Sequence, residues 1–323
     1  MDLHWVSAVG SESHPVTDLP TLRSRPEGFA WIDVPHMDPE SAAFLRESLS
    51  FDSHLIGECS ARTLIPKVFL HDGKLLLVLH SLDREGHLLQ LDIVVGEDFL
   101  VTIHGPLTEG LPVELALREK RAILERVEQG RLIAERPIDL VVALIEEIAG
   151  WLEHLLAAVS SQAGTLDRRL RERRTGDPES FLEEAFSTRH DLVTIANRAG
   201  QSHEACEMAS GMVSEIEGAT ADRFGALGAR FSRLRTQCGG EKEFLQGVLD
   251  FYESQVNTKM NIAMERLAVI AAVALPITAI GGIVGMNTIV NTQTDVLLTL
   301  LIIGFMALLG GFMLRWAKRK GWW

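Results

Sequence analysis

The sequence has no Cys-x-x-Cys pair. Its three cysteines, Cys59, Cys206 and Cys238, stand far apart, so neither a disulfide framework nor a cysteine-type structural zinc site is indicated and a reducing compartment fits. It has no Gly-x-x-x-x-Gly-Lys-Ser/Thr phosphate loop, which excludes ATP hydrolysis as a driving force and predicts no nucleotide cofactor. Gly-x-Ser-x-Gly, His-Glu-x-x-His and dinucleotide fingerprints are also absent, so an enzyme is not expected. Basic residues are in deficit: 31 Lys and Arg against 44 Asp and Glu leave a net charge of −13, which argues against a nucleic-acid partner and allows cations. The first 30 residues hold no apolar run behind a basic cluster, so no cleaved signal peptide is expected.

With 323 residues, 46% hydrophobic and 23% charged, the chain has room for one soluble domain of roughly 150 residues plus extended helices. A polytopic transporter would need far more apolar sequence. What is present instead is a C-terminal stretch from Leu267 through Thr294 without a charged side chain, whose first 20 or so positions are overwhelmingly apolar. A second uncharged run, Val296 to Leu314, follows a short connection. Two spanning helices in a hairpin are therefore expected, with both chain ends on one side and lipid around them. Arg315, Lys318, Arg319 and Lys320 follow the second span while the connection has no Lys or Arg, which places both termini in the cytoplasm of a cell-membrane protein.

Before the hairpin, short runs rich in β-branched and aromatic residues predict strands at Leu3 to Val9, Phe29 to Val34, Leu64 to Leu70, Leu75 to Leu82, Leu88 to Val95 and Phe99 to His104. Asp72-Gly73 and Glu85-Gly86 are hairpin turn signals, and Asp38-Pro39 opens a helix to Leu49. After Pro106 the pattern is helical. Pro137 starts a long helix ending at about Arg174 in a cluster of arginines; Thr175-Gly176-Asp177-Pro178 restarts the chain; the next helix closes at Gly218-Ala219-Thr220. From Asp222 one helix can run without proline to Pro276, and as far as Gly285 it would be on the order of 95 Å long. Gly239-Gly240 inside it reads as a hinge, as close helix packing or as a local break.

The fold class is thus an α+β cytoplasmic domain followed by long helices and a two-helix C-terminal transmembrane hairpin. The expected divisions are an α/β domain over 1–106, a helical segment and hairpin over 107–218, a stalk running into the first span over 219–287, an outer loop over 288–295, the second span over 296–316 and a basic tail over 317–323. Along the stalk, Asn261, Met264, Leu267, Ala271, Leu275, Thr278, Gly282 and Gly285 recur every three or four residues, close to the 3.5 period of coiled helices. Such a face, polar at its ends and apolar between, reads as a pore lining with a hydrophobic constriction, or as a packed interface.

The arrangement Asn261, Met264, Leu267, Pro276 and Gly285-Met286-Asn287, in a two-span C-terminal hairpin with a basic tail, resembles the CorA-type divalent-cation channels. The resemblance implies a funnel-shaped homo-oligomer, a homopentamer, with Gly285, Met286 and Asn287 as the outer selectivity ring, gated by intracellular magnesium at acidic residues. Asp250, eleven residues before Asn261, is the one position of that kind that maps, at the inner end of the pore. Asp222, Glu241, Glu243 and Glu253 are candidates by location alone, or plain solvated residues. Mg2+ is the expected substrate and regulatory ion, with Co2+, Ni2+ or Zn2+ as others. An amide ring suits magnesium because that ion dehydrates reluctantly and is held through its waters. A divalent ion gains roughly 4.6 kcal/mol per 100 mV on entering a negative cell, so passive influx suffices.

One departure bears on ion identity. Family members of the magnesium type follow Gly-Met-Asn with an acidic Met-Pro-Glu-Leu loop, whereas Thr288 to Asp295 carries only Asp295. Zinc-transporting relatives also lack that loop, so a zinc transporter, proton-coupled or not, is the alternative. His203 and Cys206, with Glu207, read as zinc ligands on one helix face or as an ordinary helix surface. From another class, a membrane-tethered signalling or scaffold protein would use the hairpin only as an anchor.

Overall fold

The computed structural model describes residues 1–105, 113–214, 218–288 and 296–319. These form two compact units, residues 1–246 and 247–323. The first is built on a seven-stranded sheet in the order β2-β1-β3-β7-β6-β5-β4, where β1 is Asp2–Ser7, β2 Gly10–His14, β3 Phe29–Val34, β4 Lys67–His71, β5 Lys74–Leu82, β6 Leu88–Val95 and β7 Phe99–His104. Only β3 and β7 run parallel, from Ala30 opposite Phe99 to Val34 opposite Ile103; every other pair is antiparallel. Both strands of that parallel pair are buried along their whole length. Covering both faces is what allows such near-continuous apolar runs.

One face is covered by α1 (Leu19–Leu22), α2 (Pro39–Leu49) and α3 (Ser53–Ser60), whose Leu19, Leu22, Leu45, Leu49, Leu55 and Cys59 share a core with Leu3, Ile32, Val78, Val101 and Ile103. Both longer helices start on an aspartate that accepts an orphan amide: Asp38 from Ser41 N at 2.7 Å and Asp52 from Leu55 N at 2.8 Å. The chain then passes α4 (Val113–Ala116). The opposite face is met by α5 (Arg118–Glu128) and α6 (Pro137–Arg171), both packed on strands. Proline at the first position of α6 matches the expected start, and Asp139 caps it by accepting from Arg136 N at 3.0 Å. A third long helix, α7 (Pro178–Ser214), returns along α6 and against β4 and β5.

Two elements escape the sequence pattern. The strand β2, Gly-Ser-Glu-Ser-His, has no apolar side chain and exists because β1 lends it a ladder. In α3, only Leu55, Ile56 and Cys59 turn inward, too short a run to show a helical period. Residues Gly218 to Thr220, expected to close a helix, instead open α8 (Gly218–Thr288), with Thr220 buried. The expected outer loop falls almost wholly on 289–295, outside the described residues, as does Lys320. Gly239 and Gly240 lie within unbroken helix, and a Cβ at either would meet nothing within 4 Å. The unbroken helix excludes a local break at that pair, and within one chain nothing packs closely on it.

The second unit is the C-terminal part of α8 with α9 (Val296–Arg319). Both helices are long and apolar enough to cross a membrane, with mean hydropathies of 2.0 and 1.9 over their most apolar windows. Little of either window is buried. Leu300, Leu301, Ile303, Phe305, Leu308 and Phe312 of α9 are all exposed, as side chains in contact with lipid tails would be.

Candidate functional site

The two faces of α8 within the hairpin differ. One packs on α9: a Cβ on Gly281 would lie 3.6 Å from Met306 Cε, and one on Gly310 would lie 3.1 Å from Ile277 Cδ1. Small residues at the crossing let the backbones approach, which is how helices associate where there is no water to expel. Val269 is buried, and Val273, Pro276, Ile277 and Ile280 are half-buried on the same side.

The other face carries Asn261, Met264, Leu267, Ala271, Leu275, Thr278 and Gly282, all exposed. At about 100° per residue, the centre of this stripe lies roughly 180° from the centre of the face that meets α9. The hairpin therefore leaves the stripe uncovered. Met264, Leu267 and Leu275 expose 52%, 64% and 68% of their surface, a band of bare apolar side chains between Asn261 and Thr278. The Thr278 hydroxyl donates to Ala274 O at 2.8 Å, so its proton is committed to the helix and its oxygen remains an acceptor. Gly285 is half-buried on α8, whose backbone stays helical through Met286 and Asn287 to Thr288; the side chains of Met286 and Asn287 lie outside the described residues. Asp250 is exposed and, three turns before Asn261, sits within about 20° of it around the helix.

The other sequence candidates are not drawn together. Glu241 is half-buried and Asp222, Glu243 and Glu253 are exposed. The His203, Cys206 and Glu207 set does not converge as zinc ligands. His203 Nδ1 is engaged by Gly228 O at 2.9 Å, and the Cys206 thiol is buried, which together with the charge of Glu207 pushes it up to about 12. A thiol that stays protonated is a poor metal ligand.

Sequence reasoning missed a buried polar network in the first unit. Asp33 on β3 accepts from Thr102 Oγ1 at 2.6 Å and from Lys120 Nζ at 2.9 Å, with His104 Nε2 at 2.9 Å; Trp31 Nε1 donates to Thr102 at 3.1 Å, and Lys120 also reaches Asp2. Burial pushes the Asp33 carboxyl up, but His104, Lys120 and Thr102 outweigh it and hold it below the usual carboxylate range. Lys120 thereby fastens α5 to the sheet. The signal was a polar residue at an inward position of a strand, Asp33 in Phe-Ala-Trp-Ile-Asp-Val, which needs partners. These groups satisfy one another, as a structural joint between α5 and the sheet requires.

An α/β domain followed by long helices and a two-span hairpin is the architecture of a membrane protein, with a polar-apolar-polar stripe uncovered on its first span. Comparison with known proteins agrees. Residues 26–319 match the family described as CorA-like Mg2+ transporter protein, and the chain belongs to that family. It is a divalent metal ion transporter of the CorA family and not an enzyme. The chain is 22% identical over 324 residues, 98% of each protein, to YfjQ of Bacillus subtilis (strain 168), a candidate metal ion transporter. Among solved structures it resembles the complete CorA magnesium transporter of Methanocaldococcus jannaschii, with a TM-score of 0.82 at 18% identity over 100% of this chain and 99% of that one. It also resembles full-length CmaX, with 0.77 at 16% over 98% and 97%. The cytoplasmic domain of ZntB from Vibrio parahaemolyticus matches at 0.61 and 12%, over 80% of this chain and 98% of that one. At these identities the three structures speak to the fold.

Proposed function

We propose that the protein is a passive Mg2+ channel, admitting Co2+ and Ni2+ as related ions, in which several copies place the exposed stripe of α8 around a common axis. The observation that carries this reading is the uncovered stripe itself. Two helices cannot enclose a water-filled path, so a stripe turned away from α9 becomes a pore wall only when other copies supply the remaining walls. Five copies follow from the family resemblance, and the Lys and Arg that follow the second span keep both termini in the cytoplasm. Gly285, Met286 and Asn287 form the outer ring, where amide and carbonyl oxygens accept hydrogen bonds from the hydrated ion without stripping it. Thr278 adds a second ring of acceptors. Met264, Leu267 and Leu275 form a hydrophobic constriction that gates by dewetting, and Asn261 and Asp250 line the inner end. Inward membrane potential supplies the driving force.

The test is flux into liposomes containing the purified protein, with Mg2+ or Zn2+ outside, with and without a voltage and a pH gradient. Voltage-driven Mg2+ entry that Asn287→Ala abolishes, while assembly by gel filtration is unchanged, is the expected result. Zn2+ flux that requires the pH gradient would overturn it, and the absence of any flux would leave the hairpin as a tether.

A further inference from the structure

A second cluster of metal-ligating side chains lies in the first unit, away from the stripe. Asp52 precedes α3, His54 is its second residue, His71 ends β4, and Asp72 begins the turn into β5. Capping brings the first two here, because Asp52 Oδ1 is held by Leu55 N at 2.8 Å. The hairpin brings the others: Asp72 and Gly73 both have positive φ, 48° and 71°, in a two-residue turn closed by His71 opposite Lys74. The second oxygen of Asp52, Oδ2, is hydrogen-bonded to His71 Nε2 at 2.7 Å, and Asp72 Oδ2 lies 4.0 Å from the same nitrogen. All three ligand atoms fall within 4.8 Å of one another. The ring of His54 stands edge-on to that of His71 with centroids 5.2 Å apart.

We infer that Asp52, His54, His71 and Asp72 form a binding site for a borderline divalent cation of the Zn2+ class. The chemistry of the donors selects the ion: two imidazoles and two carboxylates suit zinc, cobalt or nickel, whereas magnesium takes oxygen and water. The spacing suits it too. Ligand atoms about a tetrahedral zinc lie roughly 3.3 Å apart for bonds of about 2.0–2.1 Å, between the 2.7 and 4.0 Å separations found at His71 Nε2. Drawing the ion in requires only that His71 exchange its Asp52 contact for the metal and that His54 and Asp72, exposed side chains, turn toward it. A second triad, Asp83, Glu85 and His87, lies in the β5–β6 turn at the other end of β5 and is more heavily engaged. There Asp83 already accepts from Glu85 N, His87 N and the His87 ring, each at 2.7 or 2.8 Å, so its oxygens are spent on the turn.

The site is independent of the pore reading, and its test keeps the two apart. Full-length protein in detergent is titrated with Zn2+, and with Co2+ to read tetrahedral coordination from its visible absorption. The variants are His54→Ala, Asp72→Asn and, as the pore control, Asn287→Ala. Neither of the first two residues donates to or caps an element, and asparagine tolerates the positive φ of position 72. Expected are one Zn2+ per chain in the wild type and in Asn287→Ala, with affinity at least tenfold weaker in each of the other two. Absence of Zn2+ binding in the wild type, unchanged affinity in both His54→Ala and Asp72→Asn, or loss in Asn287→Ala alone would each overturn the inference.

Discussion

Asp92 provides the sharpest link between the fold and a measurable pH dependence. It sits on β6 with no exposed surface. Burial pushes its carboxyl up, the charge of Glu58 adds to this, and the amide of Gln90, which donates at 2.9 and 3.2 Å, offsets only part, so the group titrates at about 7. The sign follows from linkage. An unfolded aspartate titrates near 3.8, so between pH 3.8 and 7 the folded chain holds a proton that the unfolded chain does not, and stability falls as pH rises through that window. At about 1.36 kcal/mol per unit, raising pH from 5 to 8 removes roughly 3 kcal/mol through this one group. Asp92→Asn keeps the shape and an acceptor for Gln90 but cannot ionise. Thermal melting of full-length wild type and variant at pH 5 and 8 isolates the effect, because every other titrating group is common to both. The gap between the two melting temperatures should move in favour of the asparagine variant by roughly 6–12 °C across that range. A gap that is the same at both pH values would show that Asp92 is charged in the folded protein and refute the reasoning.

Two further perturbations follow. Lys120→Met leaves Asp33 buried without its ammonium and should destabilise the first unit by about 3–5 kcal/mol, with Asp33→Asn in the same chain recovering part of the loss; a loss below about 1 kcal/mol in a urea melt would place Lys120 outside the network's energetics. Gly310→Val puts a branched side chain where even a Cβ lies 3.1 Å from Ile277 Cδ1, and should weaken the hairpin by about 1–3 kcal/mol, whereas Gly304→Val, where a Cβ would meet nothing within 4 Å, should not. Equal thermal inactivation of the two valine variants in detergent would contradict that packing.

The uncharged spans, the prolines that start α6 and α7 and the alternation or continuity of apolar residues in β3, β5, β6 and β7 were legible in the chain, because they depend on neighbours a few residues away and on the solvent each segment must face. Placing the stripe on one side of α8 was also legible, since helical periodicity alone lines up Asn261, Leu267, Leu275 and Thr278. Whether that side was covered was not, because the answer lay in where α9 packs, through Gly281 and Gly310. The same holds elsewhere. Strand β2 needed β1 to exist, Asp33 needed Lys120 from 87 residues away, and His71 met Asp52 only once a turn and a helix cap had fixed both. The zinc reading of His203 and Cys206 failed for the same reason, since spacing on one helix could not reveal that Gly228 occupies the imidazole and the thiol is buried. Local chemistry thus determined which segments are strands, helices and spans, while contacts between distant segments decided which side chains were spent on holding the fold and which were left free to meet an ion.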